Sequence, residues 1–179
     1  MRGVTVKRTN ALLLAALASS ALLAGCGIQA AQASQYIHVQ PNSSTVDVKL
    51  VSSFSNALAQ NVVDGVPSGH LTITVPAGST VRLKVVNNGP MPEAFGIYRK
   101  DLQTAFKGSG DPYYSDVGLN PVAGLIPGQS QTYTFTASHT GTYTIADYLN
   151  GTTTSNVPVS NIWETFKVVR SGAPSLQTN

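Results

Sequence analysis

The chain has 179 residues, 11 Lys+Arg against 8 Asp+Glu, and a single cysteine, giving a formal net charge of only +3. Arg2, Lys7 and Arg8 carry that excess, so the rest of the chain is balanced in charge. Balanced charge without clustered Lys and Arg excludes a nucleic-acid partner, and one cysteine excludes an internal disulfide.

In chain order, those three basic residues form an n-region ahead of "ALLLAALASSALLA" (11–24), an apolar run. At about 14 residues it has the length of a secretory h-region and is too short to cross a bilayer as a helix. "LAGCG" (23–27) follows and resembles the bacterial lipobox, in which the cysteine becomes the lipidated N-terminus. The expected organisation is a signal peptide over 1–25, lipid on Cys26, and a tether over 26–44. The protein is then extracytoplasmic, with the membrane as a partner through that lipid. The rival cleavage site is "AQA" (31–33), which would release a soluble protein without Cys26. Either way the folded domain contains no thiol, and about 150 residues suffice for one core. The tether, "GIQAAQASQYIHVQPNSS" (27–44), is rich in Gln, Ala and Ser, and His38 within it is read as a solvated residue.

From 45 to 170 the dominant period is two. "TVDVKLV" sets Val46, Val48 and Leu50 on one face and Asp47 and Lys49 on the other. "LTITV" and "VRLKVV" repeat the pattern: Leu71, Ile73, Val75, Val81, Leu83 and Val85 face inward, Arg82 and Lys84 outward, with "PAGS" as the turn between them. "FGIY", "QTYTFTA", "GTYTIAD" and "ETFKVV" supply further strands, and Tyr143, Ile145 and Asp147 share a face. Short helices are expected only at "NALAQNVV" (56–63) and "DLQTAF" (101–106), and 171–179 is expected to be a disordered tail. The Gly-rich "FKGSGDPYYSD" (106–116) displays Tyr113 and Tyr114, either packed over an edge or forming a binding patch. The fold class is therefore all-β: an antiparallel sandwich of one domain, over 45–170.

Residues 64–98, "DGVPSGHLTITVPAGSTVRLKVVNNGPMPEAFGIY", and "GQSQTYTFTASHTGTYTIADYLNGTTTSNVPVSNIWETFKVV" (128–169) resemble the cupredoxin fold, and within it the sulfocyanin branch of blue copper proteins. The elements that carry the resemblance are "ITVPAGSTV", the "NN" ending the next strand, "GTYTI", and a terminal Trp before an alternating strand. It implies a Greek-key β-sandwich with a copper site at one end. The four ligands of that family fall here on Glu93, Asp147, Thr152 and Ile162, so none of the family's ligand types is kept. A blue copper centre is a His₂Cys arrangement whose redox chemistry depends on the copper–thiolate bond, which this domain cannot supply.

The resemblance also implies that Glu93 and Asp147 converge, in which case a cation lies between them, one is protonated, or a basic side chain pairs with them. Two metal readings stay open. One is a hard cation held by Glu93, Asp147 and oxygens of Asn150, Thr152 or Thr153. The other is an atypical copper site drawn from His70, Met91, Glu93 and Asp147, His70 being expected at the same end of the sandwich. No G-x-S-x-G elbow, H-E-x-x-H or phosphate-binding Gly loop is present, so no catalytic residue is assigned. The expected role is a binding or assembly module at the membrane surface, with a membrane-complex protein as candidate partner and no resident cofactor; a third reading is an accessory domain docking onto a membrane oxidase. The alternative is a copper-binding or electron-transfer protein with an atypical site.

Overall fold

The computed structural model describes residues 36–39, 43–111, 124–150 and 162–179, and the backbone of 152–154 and 157–159. The expected signal peptide over 1–25, Cys26, Tyr113 and Tyr114 lie outside the described residues.

One sheet is built from β1 (Ile37–Val39), β2 (Thr45–Ser55), β3 (Gln60–Val63), β4 (Val66–Pro67), β6 (Thr80–Asn87) and β8 (Ser130–Thr136), in the order β4-β3-β2-β6-β8 with β1 also pairing β2. The second holds β5 (Leu71–Pro76), β7 (Phe95–Tyr98), β9 (Gly141–Asp147), β12 (Ile162–Val169) and β13 (Ser175–Thr178), in the order β13-β5-β12-β9-β7. A small hairpin, β10 (Thr152–Thr154) with β11 (Val157–Val159), stands apart.

The alternation read from the sequence places the core. Val46, Val48, Leu50, Leu71, Ile73, Val75, Val81, Leu83 and Val85 are all buried between the sheets, joined by Phe95, Ile97, Ile145, Phe166 and Val168. Each such side chain contributes roughly 1.5–3 kcal/mol on burial, which makes this layer the main source of stability in a domain without disulfides. Phe106 stacks on Phe135 with centroids 5.4 Å apart, and both meet Phe166 edge-on.

Several of these expectations need correction. The sandwich is not purely antiparallel: β2 runs parallel to β6, and β5 parallel to β12. The chain passes from one sheet to the other at "PAGS", where Gly78 at φ +85° makes the turn, so β5 and β6 are not a hairpin. Neither short helix forms, because Ala59 and Leu102 take left-handed φ of 51° and 62° inside those windows and interrupt any helix. The C-terminal segment is not a free tail: β13 adds to the edge of β5, with Leu176 opposite Ile73. The end of the tether is also structured, since Ile37, His38 and Val39 pair with Val48, Asp47 and Val46.

Candidate functional site

β6 ends at the buried Asn87, which fastens one end of the sandwich. Its Nδ2 donates to the carbonyls of Met91 at 2.7 Å and Leu125 at 2.6 Å, and its Oδ1 accepts the Gly89 amide at 2.7 Å. Glu93 and Leu125 then exchange backbone hydrogen bonds of 3.1 and 2.6 Å. These contacts set the position of Glu93 just before β7.

Asp147 arrives from the other side, as the last residue of β9. β7 and β12 flank β9, placing Phe95 and Ile162 opposite Asp147 in the two ladders. Asp147 is 1% exposed and Glu93 3%. The predicted convergence is present: Asp147 Oδ1 accepts the amide of Ala94, the residue after Glu93, at 2.9 Å. The same oxygen accepts the Leu149 amide at 2.9 Å, and Oδ2 accepts Asn150 Nδ2 at 3.0 Å. Asn150 Nδ2 also donates to the Pro92 carbonyl, linking the loop after β9 to the loop before β7.

The two carboxyls have different environments. Burial pushes Glu93 up to about 7, opposed by the Ser52 hydroxyl and reinforced by the charge of Asp147. Burial also raises Asp147, but the Ala94 amide, the Asn150 side chain and the amides of Leu149 and Asn150 stabilise its charged form. More donors therefore favour the charged form of Asp147 than that of Glu93, while burial pushes both carboxyls up. Ser52 points the same way. Its hydroxyl has one proton and lies against two acceptors, Glu93 Oε2 and the Val86 carbonyl at 3.3 Å. A protonated Glu93 can donate to Ser52 Oγ and leave the hydroxyl proton for Val86.

The remaining candidates do not join them. Met91 is 57% exposed and contributes only its carbonyl to Asn87. His70 lies at the predicted end but on the far side of β12, with Nδ1 3.0 Å from the Asn179 carbonyl beside β13. Ile162 is fully buried in the apolar core, and the side chain of Thr152 lies outside the described residues. Among the described residues no three of His, Cys, Asp and Glu form a group able to hold a metal ion. Asn150 presents its NH₂ to Asp147, where the hard-cation reading would use its oxygen, and the side chains of Thr152 and Thr153 lie outside the described residues.

A second carboxyl pair, buried Glu164 with half-buried Asp64, escaped the sequence reading. Glu164 on β12 accepts the Leu71 amide at 2.7 Å through Oε2, while Oε1 is buried without a hydrogen-bond partner. Burial pushes it up to about 8, against the Leu71 and Gly69 amides, with a further upward push from Asp64. Asp64 in turn is pushed up to about 7 by burial, opposed by the Val51 amide and Lys49. Glu164, like Ser52 and Asn87, falls on the inward phase of its strand. A polar residue at an inward position was the available signal.

Comparison with known proteins fits this geometry. The sulfocyanin (SoxE) domain family matches residues 31–168. The chain belongs to the sulfocyanin family. None of the curated proteins is significantly similar to it in sequence. Among solved structures, a laccase from Pediococcus acidilactici superposes with a TM-score of 0.54 at 11% identity, over 74% of this chain and 28% of that one. A multi-copper oxidase from Pseudomonas thermotolerans gives a TM-score of 0.52 at 15% identity, over 73% and 31%. The chain therefore spans under a third of either oxidase, and at these identities the likeness concerns the fold alone. Rusticyanin from Thiobacillus ferrooxidans matches over 80% of this chain and 93% of its own, at 16% identity and a TM-score of 0.43.

This sulfocyanin-family domain is thus a cupredoxin-like β-sandwich, as the sequence resemblance implies. The copper that the family name brings with it does not fit the residues at this end as a type 1 centre. Glu93, Asp147 and Ile162 offer two hydrogen-bonded carboxyls and an alkyl group, with no thiolate and no imidazole.

Proposed function

We propose that this protein is a lipid-anchored, extracytoplasmic member of the sulfocyanin family that works as a binding or assembly module at the membrane surface, without type 1 copper chemistry and without catalysis of its own. The observation that carries the reading is the hydrogen bonding of Asp147. The residue at the family's cysteine position accepts the amides of Ala94 and Leu149 and the side chain of Asn150, so it closes the loop from within. A carboxylate so engaged serves the frame of the site rather than a metal.

Titration of protein purified without chelator with Cu(II), Cu(I) and Ca²⁺, followed by absorbance and melting temperature, tests this directly. Binding to the native state alone raises the melting temperature. The expected result is no thiolate-to-copper charge-transfer band and no thermal shift. A tight copper complex lost in Asp147→Ala or His70→Ala would install the electron-transfer alternative instead. The anchor is tested separately: Cys26→Ser is expected to release the protein from membranes or leave an uncleaved precursor. Membrane-bound protein of mature size from that variant would rule out the lipid. Stable attachment calls for more than one acyl chain, so mass spectrometry should find a multiply acylated Cys26.

A further inference from the structure

The outer face of the β2–β6–β8 sheet carries two cross-strand rows of polar side chains. In the first, His38 pairs with Asp47, Asp47 with Arg82 and Arg82 with Thr134. Arg82 and Asp47 form a two-pronged ion pair, with the Nη2–Oδ2 contact at 2.7 Å, so this row is internally neutralised. In the second row, Lys49 lies directly beside Lys84, and Lys84 beside Thr132. Extending the β1–β2 register by one step sets Tyr36 opposite Lys49.

Adjacent strands are about 4.8 Å apart, and like charges placed side by side across them are destabilising. Neither lysine forms an ion pair among the described residues. Asp64 is in electrostatic range of Lys49, but its Oδ1 binds the Val51 amide at 2.8 Å and it does not line the cleft. The two rows bound an open cleft of about 310 Å³, lined on one side by His38 and the Asp47–Arg82 ion pair and on the other by Tyr36, Lys49, Lys84 and Thr132.

We propose that this cleft is an anion site for a phosphate group, with Lys49 and Lys84 as its charge and Tyr36 and Thr132 as flanking hydroxyl donors. Lysine is a compact point charge with three donors, suited to a tetrahedral oxyanion met from several directions. The planar fork that would select a carboxylate, that of Arg82, is already taken by Asp47. Phosphate between the ammonium groups would convert a repulsive pair into two attractive ones. The cleft has room for more than the phosphate itself, so a phosphodiester such as a lipid headgroup fits the same chemistry as free phosphate. The site lies away from Glu93 and Asp147 and does not depend on the proposed function.

The test uses the full chain in non-ionic detergent with two soluble probes, inorganic phosphate and glycerophosphoglycerol, each against chloride at matched ionic strength. Melting temperature and calorimetric titration are read for the native chain, for Lys49→Ala/Lys84→Ala, and for Lys167→Ala on the opposite sheet. The native chain and Lys167→Ala should both be stabilised by a probe, while the double variant binds it at least about tenfold more weakly, since charge-assisted contacts are each worth about that factor. The double variant should also fold at least as stably as the native chain without the probe, because it lacks the repulsion. Binding of both probes assigns a phosphodiester source and binding of phosphate alone a free-phosphate source, and either supports the site. No stabilisation of the native chain, or equal stabilisation of all three proteins, would overturn it.

Discussion

Two places in the sandwich bury carboxyl groups, and they handle the burden differently. At the end of β9, Asp147 accepts the amides of Ala94 and Leu149 and the Asn150 side chain, so its charge is balanced by donors from three chain positions. On β12, Glu164 takes the Leu71 amide on one oxygen and leaves the other buried with no partner. Similar burial therefore leaves one carboxyl ringed by donors and the other with one oxygen bare. Burial alone does not fix the state of a carboxyl; the count of donors aimed at it does.

The largest expected effect tests the anchored side. Asp147→Ala leaves the Ala94 and Leu149 amides and the Asn150 amide without their acceptor in a dry site. Each orphaned donor costs about 1–3 kcal/mol, so a loss of roughly 3–5 kcal/mol is expected, with Asp147→Asn losing less because one oxygen remains. Urea unfolding followed by Trp163, the only tryptophan and 42% exposed, measures both. A loss below about 1 kcal/mol for the alanine variant would erase the distinction between the two places.

How far this contrast was legible beforehand depends on the residue. Strand alternation gave the core from Val46 to Val85, the inward phase of Asp147, and the two-sheet architecture. The same alternation places Ser52, Asn87 and Glu164 inward, but apolar patterning passes over polar residues in that phase, so three buried polar groups went unread. β13 was illegible for another reason. Its four residues, Ser175–Thr178, have no apolar period to announce a strand, and they order only because β5 offers them an open edge. The failed helices at 56–63 and 101–106 turn on single left-handed residues, Ala59 and Leu102, whose side chains carry no such preference. The end of the tether became a strand by pairing with β2, a tertiary effect beyond composition.

A second test addresses the proton-holding side as a whole. Glu164, Glu93 and Asp64 are pushed to about 8, 7 and 7 from ordinary values of 4.5, 4.5 and 3.8. A carboxyl that binds its proton more tightly when folded stabilises the folded chain in acid, and that contribution is lost as pH rises through the folded value. Stability should therefore fall between about pH 5 and pH 8, on the order of several kcal/mol in total. Urea midpoints at pH 5 and pH 8.5 read it. A chain that is more stable at the higher pH would mean these groups ionise freely when folded.

Glu164→Gln isolates one group from that sum. The amide keeps an oxygen for the Leu71 amide and can no longer ionise, so the variant should match the native chain near pH 5 and exceed it near pH 8.5 by on the order of a few kcal/mol. Its pH slope should be shallower across the top of the window, where Glu164 alone still titrates. An unchanged slope would place the titration elsewhere.

Ser52→Ala is the smallest effect and the most discriminating. The hydroxyl pulls the Glu93 pKa down, so its removal should move that pKa further up and shift the upper part of the stability profile to higher pH. The direct cost is small, about 1 kcal/mol, because one short hydrogen bond is lost while Val86 remains in its ladder. If Glu93 instead carried its charge in the folded state near neutrality, Ser52 would be its main donor, and the alanine variant would lose far more stability at pH 8 than at pH 5. With Glu93 at about 7 and the hydroxyl favouring its charged form, the loss should be modest at pH 5 and somewhat larger at pH 8, and equal losses at both would mean that Ser52 does not act on the Glu93 proton. The ratio of the two losses therefore reads how strongly Ser52 acts on the proton of Glu93, without any metal in the experiment.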